Sequence, residues 1–151
     1  MDGELDCQNT WCTSGTTEAA QFFLALKWLI LPDMQLYLEI AAPTVRHVRD
    51  YLVSVGMERQ LGLMIGSIPP VWEQVYQMRI SEELLCDLAE FSVKGALVVD
   101  HLGLFRNTEV LLDYSDAFMR DSFVYISKQI PLDKVRRFSR HLGVTYRDGK
   151  L

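Results

Sequence analysis

Cysteine, proline and long apolar stretches are all scarce in this chain. Its three cysteines, Cys7, Cys12 and Cys86, are an odd set, too few for a disulfide framework. Cys7 and Cys12 lack the second Cys or His pair that a tetrahedral zinc site needs, so no metal is expected. No window of eighteen residues is both apolar and uncharged, and no membrane-spanning helix is expected. Residues 1–18 contain no Lys or Arg, and the apolar stretch Ala19–Leu31 is broken by Lys27. A secretory signal, with its positive flank, is therefore not expected, and the reading is a cytoplasmic or nuclear protein.

The familiar catalytic signatures are missing too. There is no glycine-rich phosphate loop, no Gly-x-Ser-x-Gly elbow and no Glu-x-x-His pair of the di-iron bundles. His47, His101 and His141 are far apart in sequence and read as surface or half-buried residues. Glu82, Glu83, Asp87 and Glu90 read as a solvated face rather than a catalytic dyad, which needs environments that separate two pKa values. No catalytic residue and no cofactor is expected, and the chain is read as a non-enzyme. A small enzyme or ligand-binding domain, with His47 or His101 lining a pocket, is the competing class.

What is present is enough apolar material for a core: 49% hydrophobic and 23% charged residues exclude wholesale disorder. The pattern is read as helical throughout. A run from Thr17 to Leu31, stopped by Pro32, carries Phe22, Leu26, Leu29 and Ile30 on one face. Asp33 is placed to cap a second helix through Ala41, and Val45, Val48, Leu52 and Val55 mark a third ending at Gly56. Further helices are expected over Met57–Ile65 and Val71–Met78, either side of the loop Gly66–Pro70.

Ser81-Glu82-Glu83 opens the strongest helix, with a capping hydroxyl and acids in its first turn. Its seam, Leu84, Leu88, Phe91, Gly95, Val98 and Leu102, runs to Gly103. Gly95 reads as a close helix–helix approach, and Cys86 as a small core residue. Helices are expected from Asn107 or Thr108 to Phe118 and from Asp121 to Gln129, and a last one from Pro131 to Leu142 with Gly143 as its stop. Arg59–Leu63, Asp100–Leu104 and Arg140–Val144 share one form, read as three helix-end caps. The expected architecture is an all-α bundle of seven to nine helices over residues 16–151, preceded by a flexible arm, residues 1–15.

Charge is unevenly spread. The net charge is −5, but residues 1–119 carry seven Lys/Arg against seventeen Asp/Glu, whereas residues 120–151 carry eight against three. Lys134, Arg136, Arg137, Arg140, His141 and Arg147, interleaved with Phe138 and Tyr146, are the candidate partner-binding residues. They suit an acidic protein surface or self-association, and alternatively a nucleic-acid backbone. The expected function is an interaction, adaptor or regulatory protein with an acidic body and a basic C-terminal helix.

Residues Phe123–Leu151 place Ile130-Pro131 before a charged helix with Phe138 near its middle, then Arg140-His141-Leu142-Gly143-Val144. This segment resembles the opening of a death domain. The resemblance spans about thirty residues, and Val135 stands where that family has a Trp. It implies a six-helix bundle that assembles with its own kind and has no catalytic activity.

Overall fold

In the computed structural model, which describes residues 9–41, 45–57 and 75–149, the chain mixes strands and helices. In order these are β1 (Thr10–Ser14), α1 (Ala19–Ala25), β2 (Gln35–Ile40), α2 (Arg46–Val55), β3 (Val75–Arg79) and α3 (Glu82–Val93). Then come β4 (Val99–Arg106), β5 (Glu109–Ser115), β6 (Phe123–Ser127), α4 (Leu132–Leu142) and β7 (Tyr146–Asp148). A 3-10 turn, Leu26–Leu29, extends α1. The strands form one sheet in the order β3-β2-β4-β5-β6-β1-β7, antiparallel at every pairing. The expected all-α bundle is thus overturned: the described residues hold seven strands and four α-helices.

The corrections have local causes. Met34, Leu36, Leu38 and Ile40 alternate with Gln35, Tyr37 and Glu39, a period of two that puts the first set on one sheet face. All four of those apolar residues are buried, and Asp33 is a turn residue with φ 60° rather than a helix cap. The strongest helix is capped as expected, Ser81 Oγ accepting from the Leu84 N–H at 3.1 Å. It ends at Val93, because Gly95 adopts φ 67° and terminates it. Gly95 has no neighbour for an added Cβ to meet, so close helix packing is not its role. Val98 is exposed, and Leu102 belongs to a strand.

Asn107, at φ 57°, turns β4 into β5 where a helix start was expected. Residues 123–127, with aromatic and β-branched side chains, form β6. Of the three expected caps, Arg140–Val144 is one, with Gly143 at φ 70° accepting the left-handed turn. Asp100–Leu104 is instead part of β4, and Arg59–Leu63 lies outside the described residues. The helix expected over Met57–Ile65 falls mostly outside them as well. The described part of the Val71–Met78 segment, from Val75, is strand β3. Thr10–Ser14, expected within a mobile arm, form β1, paired on both sides by β6 and β7. The segment carrying the death-domain resemblance contains β6, α4 and β7.

The helices cover one sheet face. α1 packs against both α3 and α4, and Phe22, Phe23, Leu26, Leu29, Leu84, Leu88, Val135 and Phe138 meet Leu36, Leu104, Leu112 and Ile126 in one core. Directly opposed residues on neighbouring strands face the same way. Tyr37, Gly103, Asp113, Tyr125, Cys12 and Arg147 are such a row, and it lies on the other face. A smaller buried cluster, Tyr37, Val75, Phe105 and Val110, shares that second face.

Ser139 sits on the buried side of α4, and its Oγ finds no hydrogen-bond partner among the described residues. A desolvated hydroxyl without a partner is costly, and Ala is the better helix former. Ser139→Ala is therefore expected to stabilise the protein by about 1 kcal/mol in urea unfolding.

Candidate interaction surface

The 3-10 turn after α1 brings Lys27 and Trp28 beside α4, which packs against this turn. Val135 and Phe138 point into the core from α4, so Arg137, Arg140 and His141 emerge on its outer side. Trp28 becomes the centre of a cationic cluster. The Lys27 ammonium lies 4.9 Å from its ring centroid and the Arg137 guanidinium 5.7 Å, both within cation–π range. Trp28 Nε1–H donates to His141 Nδ1 at 3.0 Å. An indole N–H can only donate, so the imidazole here takes the tautomer with its proton on Nε2.

Trp28, Arg137, Arg140 and His141 line an open depression of about 350 Å³. Among the described residues no carboxylate lies within 4.0 Å of Lys27, Arg137 or Arg140. The surface thus combines an aromatic face with cations that no carboxylate of the described residues neutralises.

The six residues expected to form one basic site divide four ways. Arg137, Arg140 and His141 are gathered around Trp28. Lys134 Nζ donates to the Ile30 carbonyl at 3.3 Å, closing the end of the 3-10 turn. Arg136 Nε donates to the Tyr146 hydroxyl at 3.0 Å, a bond that pushes the guanidinium pKa upward. Arg147 lies opposite Cys12, on the sheet face turned away from Trp28. Sequence reading missed Lys27 and Trp28. They sit more than a hundred residues before His141; the sequence reads Trp28 only as widening the apolar face of the first helix and Lys27 only as a charge that breaks it. A second cation–tryptophan contact, Lys128 at 4.6 Å over Trp11, is tied down by the Lys128–Asp148 ion pair at 2.8 Å.

The other sheet face carries a polar group that merits a chemical reading. His101 Nε2 lies 2.6 Å from Asp113 Oδ1 and 3.4 Å from Ser115 Oγ. In a nucleophile relay the imidazole uses one nitrogen for the carboxylate and the other for the hydroxyl. Here both groups approach the same nitrogen, so the trio is not arranged for that chemistry and acts as a cross-strand polar contact. No cluster of three or more His, Cys, Asp or Glu able to hold a metal occurs among the described residues, and none of the described helices is long and apolar enough to cross a membrane.

The two described cysteines contrast. Cys86, expected in the core, is exposed on α3, because it falls between the buried positions Leu85 and Leu88. Cys12 is buried, and desolvation raises its thiol pKa against the opposing pull of Arg147. A thiol reagent at mildly alkaline pH should modify Cys86 at once and Cys12 only on unfolding. Mass mapping of the labelled peptides decides it, and prompt Cys12 labelling would contradict its placement in the sheet. Compared with family models, with curated proteins and with solved structures, this chain finds no match.

Proposed function

We propose that this chain is a non-enzymatic interaction module whose Trp28–α4 surface binds an acidic protein segment bearing an aromatic or aliphatic side chain. The observation that carries this reading is the indole of Trp28, bracketed by Lys27 and Arg137 and bonded to His141, in a depression where Arg137 and Arg140 have no carboxylate partner among the described residues. The aromatic face offers stacking area at low entropic cost, and the unneutralised guanidinia offer bidentate carboxylate recognition. Such a pairing of anchor and cations is what interaction hot spots are built from.

The test is calorimetric titration of the full chain with a glutamate-rich peptide containing one phenylalanine, and separately with duplex DNA. The peptide is expected to bind with an affinity that falls as salt rises. Arg137→Glu with Arg140→Glu should weaken it by about a hundredfold, since each lost charge-assisted bond is worth about 1.5–3 kcal/mol before solvent screening reduces it. Peptide binding unchanged in the double variant overturns the reading. Tight DNA binding without peptide binding would replace it with the nucleic-acid alternative.

A further inference from the structure

A second depression, of about 440 Å³, lies where β5 passes into β6. Asp116, Met119, Arg120, Asp121, Phe123 and Tyr125 form most of its wall. Three of these are large apolar side chains left open to solvent: Met119 at 63%, Phe123 at 46% and Tyr125 at 38%. Phe123 and Tyr125 alternate outward on β6, on the sheet face opposite the helices. Among the described residues Arg120 makes no ion pair with Asp116 or Asp121, so both carboxylates remain available.

The loop carrying this wall is held fast. Asp116, Phe118 and Asp121 all adopt left-handed φ, at 50°, 65° and 62°, a conformation that persists only where surrounding contacts enforce it. Phe118 is pinned by the rings of Phe22, Phe23 and Tyr114. Ser122 is pinned by Met119 O at 2.8 Å and by the Tyr114 hydroxyl at 2.9 Å. The depression is therefore preformed, and little ordering cost remains to be met on binding.

We infer that this acidic, aromatic depression is the docking site for the Trp28–Arg137–Arg140 surface of a second copy of the chain, so that copies associate head to tail. The inference rests on the reading of the Trp28 surface given above and names its partner. The two walls are complementary in kind. Arg137 and Arg140 bring guanidinia suited to two carboxylates and two aromatic faces, and Met119 brings a thioether suited to the Trp28 ring. The two sites also lie on opposite sides of the sheet, so a single two-fold dimer cannot satisfy both. The contact is heterologous and propagates beyond two copies. Both depressions are shallow and rimmed by charge, so association is weak and sensitive to salt.

The test is light scattering of the full chain from micromolar to millimolar concentration, at low and high salt. At low salt the mass should climb past twice the 17.4 kDa chain, and high salt should return it to one chain. Arg137→Glu with Arg140→Glu removes one surface. Asp116→Asn with Asp121→Asn removes the other, with residues that tolerate left-handed φ. Each variant alone should stay monomeric with an unchanged circular dichroism spectrum, and an equimolar mixture should form a complex of two chains and nothing larger. A wild-type chain that remains monomeric at every concentration overturns the inference, as does assembly that survives either double substitution. If the chain is monomeric yet binds the glutamate-rich peptide, only this inference fails. If it does neither, the reading of the Trp28 surface fails with it.

Discussion

Phe22→Ala is expected to lower the unfolding free energy by about 3–5 kcal/mol, the range measured for truncating a fully buried ring. Phe22 is completely buried. Its ring meets Tyr114 at 4.9 Å, Phe118 at 5.4 Å and Phe138 at 5.6 Å between centroids. Phe22 projects from α1 and these neighbours come from β5, the β5–β6 loop and α4, so one truncation empties the point where the helix layer, the sheet and the strained loop meet. The three rings sit on three separate elements and cannot all collapse into the space, which places the loss at the upper part of that range. Against a typical total of about 5–15 kcal/mol, this is a large fraction of the protein's stability. Urea unfolding monitored by circular dichroism measures it. A shifted midpoint with an unchanged slope is expected, and a loss under about 1 kcal/mol would contradict the packing described.

Gly15→Ala should cost about 2–3 kcal/mol, the upper part of the range for overpacking a rigid site. Gly15 follows β1 and donates its N–H to the Ser122 carbonyl at 2.7 Å. A Cβ there would overlap Ser122 Oγ and the phenol end of Tyr114. Tyr114 is fully buried between Phe22 and Phe118 and cannot swing aside. Its hydroxyl also accepts from the Thr16 N–H at 3.1 Å and lies 3.0 Å from the Thr16 carbonyl. The added methyl must therefore break this junction or displace the β5–β6 loop. In a thermal melt the variant should unfold several degrees below wild type. Indifference to the methyl would mean that the first strand and that loop are not joined as described.

The helices were legible from local signals and the sheet was not. Ser81, Pro131 and Gly143 are punctuation that acts within a turn of the chain, and all three mark real helix boundaries. The strands depend on partners far away in sequence. β4 and β5 sit in the middle of the sheet, with apolar residues on both faces: Leu102 and Leu104 toward the helices, Phe105 and Val110 away from them. A strand buried on both sides loses its alternation and reads as an apolar run. Leu84, Leu88 and Phe91 then continue by coincidence into Gly95, Val98 and Leu102 at helical spacing, which hid the break at Gly95. Across β2 and the residue before it, the alternation of Met34, Leu36, Leu38 and Ile40 is present in the sequence, and reading Asp33 as a helix cap passed over it.

The interaction surface was half legible. Arg137, Arg140 and His141 follow from the amphipathic pattern of α4. Trp28, which organises them, lies in the 3-10 turn after α1, half-buried against the core and bonded to His141 on an element remote in sequence. Arg147 left the group for a reason equally remote from the sequence, since β7 pairs with β1 and turns that side chain to the other face.

The proposed recognition of acidic protein by the surface organised by Trp28 can be followed through the indole N–H resonances during titration with the glutamate-rich peptide, assigning Trp28 by its loss in Trp28→Phe. The Trp28 resonance is expected to move saturably, high salt to abolish the movement, and the Trp11 resonance to stay in place. A Trp28 resonance unmoved at saturating peptide, or movement confined to Trp11, would contradict it.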